Sequence, residues 1–293
     1  MSFLVSWGCS TFLALGMISC TSPSLLNDRT SAGDTIWSSN WVDASDWSDG
    51  GLWQRETGST DHLRVESGDP NAPTSDYLSV YVYPLGSTGS SAAVACPVIK
   101  PDPPAVGETI TWRWYAMFPD PSRVAQQDAQ FHPSGMTGTL SPPLVATHQW
   151  YMLPDDRVNV VLNVGAFYST TSGTPGSSSI IDNSWHRYEF SMIRLSEARL
   201  ALRYAVYEHP SGDLVVNTGD FVFTPNRLGD SRLEDVVVDL GSAAVLEDAV
   251  TDWCGFANGL AGSFPQDYEY MRWAAVAAVI GDSVGPYPIS GEN

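Results

Sequence analysis

Basic residues are scarce in this chain: 14 Lys and Arg stand against 33 Asp and Glu, for a net charge of −19 over 293 residues. A field of that sign repels phosphate backbones and argues against nucleic acid as a partner. Cysteine is scarce too, with four in all and no Cys-x-x-Cys pair, which excludes a zinc site of that pattern. Long apolar runs are also missing. The one uncharged, largely apolar stretch, Phe3 to Ile18, is too short for a comfortable membrane span and has the length of a signal core. No repeat of fixed period and no internal Pro/Gly linker divides residues 35–288.

What is present suits an exported domain. Met17-Ile18-Ser19-Cys20 resembles a bacterial lipoprotein signal, in which Cys20 would carry the lipid and tie the protein to a membrane. Residues 1–20 are then the signal, and the polar, turn-rich residues 21–34 a tether. The remaining cysteines of the body, Cys96 and Cys254, form an even pair, as in a disulfide-bridged extracytoplasmic domain. Hydrophobic residues make up 43% of the chain, with 11 Trp, 12 Tyr and 10 Phe, which is ample for a sizeable core.

From Thr35 onward short alternating runs are separated by Gly, Pro, Ser, Asn and Asp. Strands are predicted over 77–83, 109–118, 144–152, 157–164, 185–193, 196–208, 214–216, 236–240 and 270–280, with a short helix over 242–253. Many strands with one helix imply an all-β, two-sheet antiparallel sandwich spanning residues 35–293.

Ser184-Trp185-His186-Arg187-Tyr188-Glu189-Phe190, the strand ending Tyr204-Ala205-Val206-Tyr207, and Tyr270-Met271-Arg272-Trp273 with Ile280-Gly281 resemble the paired and closing strands of concanavalin A-like jelly rolls. That resemblance implies a concave sheet that commonly holds a saccharide. It does not imply catalysis, since the superfamily includes lectins, laminin-G-like modules, hydrolases and lyases. The Glu-x-Asp-x-Glu strand of the related glucanases does not occur. The Gln-x-His pattern of alginate lyases is not expected either: His148-Gln149 reverses its order and changes its spacing.

Strand parity separates core from candidate ligand face. Trp112, Trp114, Ala116 and Phe118 make an apolar face, as do Val158, Val160, Leu162 and Val164. Opposite them stand Arg113 and Tyr115, Gln149 and Tyr151, Asn159 and Asn163, and Arg203 and Tyr207. If their strands share one sheet, these eight residues line one face. Tyrosines would stack on pyranose rings, amides would bridge hydroxyls, and Arg113 and Arg203 would read a uronate carboxylate.

The leading expectation is therefore glycan recognition. A polysaccharide lyase with His148 or Tyr151 as base and Arg113 and Gln149 as neutralisers is the alternative, although parity puts His148 on the core side. A non-catalytic role in contacting other proteins at a membrane surface is the third reading. Glu189 and Glu269 are the weaker suggestion of a hydrolytic carboxylate pair. No cofactor is required; Asp43, Asp46 and Asp49 before Gly50-Gly51 offer a structural calcium site only as an acidic loop lacking EF-hand spacing.

Intact-mass measurement of the exported protein tests both cysteine assignments together. The expected mature chain begins at an acylated Cys20, and reduction adds the mass of two hydrogens for one Cys96–Cys254 bridge. An unmodified N-terminus elsewhere removes the first assignment, and two freely alkylated thiols remove the second.

Overall fold

A computed structural model describes residues 35–39, 53–55, 63–82, 94–97, 104–120, 127–134, 146–152, 158–164, 168–170, 182–217, 223–225, 229–231, 236–239, 241–244, 255–260 and 268–288. Strands are numbered in chain order. One antiparallel sheet contains β1 (Thr35–Ser39), β3 (Leu63–Ser67), β4 (Asp76–Val82), β6 (Thr109–Met117), β11 (His186–Arg194) and β12 (Arg199–Glu208). It also contains β13 (Leu214–Asn217), β15 (Gly229–Ser231), β16 (Val236–Asp239) and β18 (Tyr268–Ile280). The second contains β2 (Trp53–Arg55), β5 (Val94–Pro97), β7 (Gln127–Ser134), β8 (Ala146–Met152) and β9 (Val158–Val164). It is completed by β10 (Tyr168–Thr170), β14 (Phe223–Pro225) and β17 (Gly255–Leu260).

The ten-stranded sheet runs β15-β16-β12-β11-β6-β18-β4-β3, with β1 added to β18 and β13 to β12. The eight-stranded sheet runs β14-β10-β9-β8-β7-β17-β5-β2. Every pairing among the described residues is antiparallel, and the chain passes repeatedly from one sheet to the other, as a jelly roll requires. The protein is all-β, as expected. The strand reading of 196–208 holds as β12, where Leu200, Tyr204 and Val206 are buried at alternate positions. Of the expected helix, residues 242–244 are described: Ser242 is a bend and Ala243 and Ala244 are helical; 245–253 lies outside the described residues.

The core of the larger sheet follows from parity. Trp112, Trp114 and Ala116 on β6 pair with Phe190, Tyr188 and His186 on β11. Trp114 stacks on Tyr188 with centroids 5.4 Å apart and planes 9° from parallel, and Trp112 meets Phe190 at 6.4 Å. Aromatic pairs of this kind add to the burial of their own area.

The other face of β6 departs from the expected open ligand face: all nine residues of β6 are buried. Residues 281–287, after β18, lie over this face. Arg113 donates through Nε to the Ala275 carbonyl at 2.9 Å and through Nη1 to the Gly285 carbonyl at 3.3 Å. Ser283 Oγ and the Gly285 N–H both donate to Glu189, and the Tyr287 N–H donates to the Tyr115 hydroxyl oxygen. Ala275 sits where β18 shifts register against β6, with φ of 47° in the left-handed region. The bulge turns its carbonyl to the guanidinium, which satisfies a group the ladder leaves unpaired.

Residues 1–34, the Asp43, Asp46 and Asp49 loop, and Cys254 lie outside the described residues. Cys96 is on β5, whose neighbour β17 begins at Gly255, the residue after Cys254. Arg113→Ala is expected to cost about 2–4 kcal/mol in chemical denaturation, because it strands two buried carbonyls and leaves a void. Unchanged stability would show that the strap over β6 does not depend on this residue.

Candidate functional site

The structure divides the eight expected face residues between two sheets. Arg113 and Tyr115 on β6 and Arg203 and Tyr207 on β12 belong to the ten-stranded sheet; Gln149 and Tyr151 on β8 and Asn159 and Asn163 on β9 belong to the eight-stranded one. The single shared face is corrected accordingly. Parity fixes which residues of a strand share a face, but it carries no information about which sheet the strand joins.

In the ten-stranded sheet the expected ligand groups are mostly enclosed. Arg113 is fully buried and Tyr115 is 1% exposed, so a bound uronate cannot reach the Arg113 fork without displacing the strap. His209 packs edge-on to the Tyr115 ring at 5.3 Å, and burial together with neighbouring Arg187 and His186 lowers its pKa. Arg203 and Tyr207 are half-buried; Arg187 lies 4.1 Å over the Tyr207 ring. Glu189 and Glu269 do not form a carboxylate pair. They stand on β11 and β18 with β6 between them, and they are also offset along the strands: Glu189 lies opposite Arg113, whose partner on β18 is Ala277, eight residues from Glu269. Each is also tied to its own donors, Glu189 to Ser283 and Gly285, Glu269 to Arg272.

A charged network that sequence reasoning missed lies where β3, β4 and β18 meet. Arg272 donates from Nε and Nη2 to the two Glu269 oxygens at 2.7 and 2.8 Å, and from Nη1 to Asp69 Oδ2 at 2.8 Å. Trp185 Nε1 donates to the same Asp69 oxygen at 3.0 Å, and the Asn71 N–H donates to Asp69 Oδ1. Burial acts to raise the Asp69 pKa, but the bonds from Asn71, Trp185 and Arg272 outweigh it and hold the carboxyl below its ordinary 3.8. Ser79 Oγ reaches Glu269 and Glu66, and the Tyr81 hydroxyl donates to Glu66; burial, then that bond, pushes Tyr81 up to about 12. The Glu269-x-x-Arg272 spacing was a visible signal. Asp69, some 200 positions away in the chain, was not.

The eight-stranded sheet gathers the other four expected residues. Gln149 pairs with Val161 on β9 and with Gln130 on β7; Tyr151 pairs with Asn159, and Thr147 with Asn163. Cross-strand partners and alternate residues share a face, so Thr147, Gln149, Tyr151, Asn159, Asn163 and Gln130 occupy one side of three adjacent central strands. Asp128 and His132 alternate with Gln130 on β7 in register with β17, while against β8 the register shifts between Phe131 and Ser134. His148 pairs with Phe131 and Leu162 on the opposite, largely apolar side.

β7 also corrects the motif reading. Gln130-Phe131-His132 is a Gln-x-His on a strand, which the sequence-based strand set left out because Pro133 and the polar alternation of 127–132 gave no apolar run. The sequence therefore does contain the spacing, on the strand beside His148-Gln149. Among the described residues no group of three or more His, Cys, Asp or Glu stands ready to hold a metal ion.

No protein-family model matches the chain, and no curated protein sequence matches it either. Among solved structures it is similar to a GH131 beta-glucanase catalytic domain from Podospora anserina, with 11% identity over 84% of this chain and 95% of that one and a TM-score of 0.41. It is similar also to lectin II from Ulex europaeus, with 9% identity, 85% and 100% coverage and a TM-score of 0.44. A third is the marine PL-14 alginate lyase from Aplysia kurodai, with 10% identity, 84% and 99% coverage and a TM-score of 0.45. Identities this low carry no residue role across.

The Asp69 carboxylate yields a pH test. A folded pKa below the unfolded value gives stability that is complete above about 3.8 and lost as pH falls through the folded value. Asp69→Asn is expected to lose about 2 kcal/mol at neutral pH, with the gap to the parent closing in acid. A gap that stays constant from pH 7 to pH 2 would deny Asp69 this role.

Proposed function

We propose that this chain recognises glycans through the polar side of its eight-stranded sheet, as an exported protein held at a membrane by lipid on Cys20. One observation carries the reading. Gln149, paired with Gln130 on β7, lies between two polar pairs of β8 with β9, Tyr151–Asn159 on one side along β8 and Thr147–Asn163 on the other. Carboxamides offer both donor and acceptor, which matches the alternating lone pairs and hydrogens of neighbouring sugar hydroxyls. Tyr151 adds an aromatic face for a pyranose ring. Such a surface holds sugars through several modest hydrogen bonds and one stacking anchor, an arrangement that works without a metal or a fixed charge.

Gln130-x-His132 favours a second reading, cleavage of a uronate polymer by β-elimination. His132 would take the C5 proton as Gln130 and Gln149 bond the carboxylate and stabilise the enolate-like charge. The electron pair then forms the C4–C5 double bond as the C4–O bond breaks, and the leaving oxygen takes a proton from Tyr151. Arg113 and His148, the earlier candidates for these steps, stand on the other sheet and on the opposite side of β8.

A glycan array with the parent protein, followed by titration of the best binder, separates the readings. Gln149→Ala and Tyr151→Ala should each weaken binding by about 1–3 kcal/mol while folding stability holds. Ultraviolet absorbance from unsaturated products on polyuronates, abolished in His132→Ala, would establish the lyase. A protein that binds no glycan on the array and cleaves no polyuronate leaves the structural role at a membrane surface in possession.

A further inference from the structure

Next to the Arg272 network the ten-stranded sheet carries a groove of about 380 Å³, within the size range of small-molecule sites. Its rim is Ser67 at the end of β3 and Asn71 from the loop between β3 and β4, facing Asn183; its floor is Tyr77, Met117 and Arg272. The loop is pinned rather than free-standing. Asp69, inside it, accepts from Trp185 and Arg272 on the sheet side and from its own Asn71 N–H, and the Ala72 N–H donates to the Asp69 carbonyl. Gly68 turns the chain into the loop with φ of 97°, a conformation that favours glycine.

Two properties define what this groove can take. Its only cation is spent, since all three nitrogens of Arg272 donate to Asp69 and Glu269, so the floor holds no charge in reserve for a carboxylate or phosphate. Its rim is not spent. Asn71 and Asn183 are exposed, and among the described residues neither side-chain carboxamide has a hydrogen-bond partner. Two open amides and a serine hydroxyl above a Tyr and Met floor complement a small ring with hydroxyls on its edge and C–H groups on its face.

We infer that this groove is a second binding site, for one or two residues of an uncharged sugar, independent of the polar side of the eight-stranded sheet. It goes beyond the proposed function in placing a ligand on the other sheet and in fixing the charge that ligand has. Because Asp69 links the loop to Trp185, occupancy is felt at a buried indole that the ligand does not touch.

Trp185 supplies the readout. Methyl glycosides of glucose, galactose, mannose and N-acetylglucosamine are titrated one at a time into the full chain, and the Trp185 indole N–H signal is followed by NMR, assigned by its loss in Trp185→Phe. At least one glycoside should shift that signal in a saturable way, with methyl glucuronide at least roughly tenfold weaker. Asn71→Ala combined with Asn183→Gly should weaken the effective glycoside roughly tenfold; glycine is chosen because Asn183 has φ of 67°. An unshifted Trp185 signal in the unliganded double variant confirms that the groove is intact. Gln149→Ala should leave the titration unchanged, which keeps this site separate from the one on the other sheet. No shift with any glycoside at tens of millimolar, an unaltered affinity in the double variant, or preference for the glucuronide overturns the inference.

Discussion

The ten-stranded sheet depends on supplying acceptors to a charged residue at its centre. Arg113 stands on β6, between β11 and β18, where every neighbour is buried. A guanidinium there must be given acceptors, because an unpaired buried charge costs several kcal/mol. The acceptors come from the backbone of the last described segment: a bulge carbonyl at Ala275 and the Gly285 carbonyl. That requirement explains the bulge in β18, the strap that follows it, and the attachment of the strap to Glu189 and Tyr115. The polar side of these strands is thereby structural, and solvent meets it mainly at its margins.

This is also why sequence reasoning read the fold better than the face. Alternation in 109–118 and 185–193 identified the strands, and the Trp and aromatic side was recognised as core. Arg113, Tyr115 and Glu189 looked like a solvated side because nothing local announces that residues 281–287 fold back over them. Residues 281–287 carry no alternating pattern of their own, yet they form the cover. The short strands, such as β2, β10, β14 and β15 with three residues each, left no periodic signal at all.

The amide-rich side of the eight-stranded sheet was half legible for a related reason. Gln149, Tyr151, Asn159 and Asn163 were found by parity because β8 and β9 are close together in sequence and pair with each other. Gln130, their partner across β7, lies on a strand that a proline interrupts, and only the pairing register brings it beside Gln149. A face assembled from three strands needs long-range information that no single window contains. The same holds for Asp69 and Arg272, whose bond spans most of the chain.

The position of β18 governs the order in which this protein can be assembled. In sequence it is the last strand of the described chain, yet in space it is interior, paired to β6 along one edge and to both β4 and β1 along the other. A ribosome releasing the chain from its first residue delivers β1, β3, β4, β6, β11 and β12 long before the strand that joins them. Until residues 268–280 appear, the β3–β4 hairpin and the β6–β11–β12 ribbon have no common neighbour, and the first described strand has nothing to pair with. Contacts of such long sequence separation are slow to close. The nascent chain therefore lacks a finished ten-stranded sheet through most of its synthesis, and that sheet closes only when residues 268–280 are delivered.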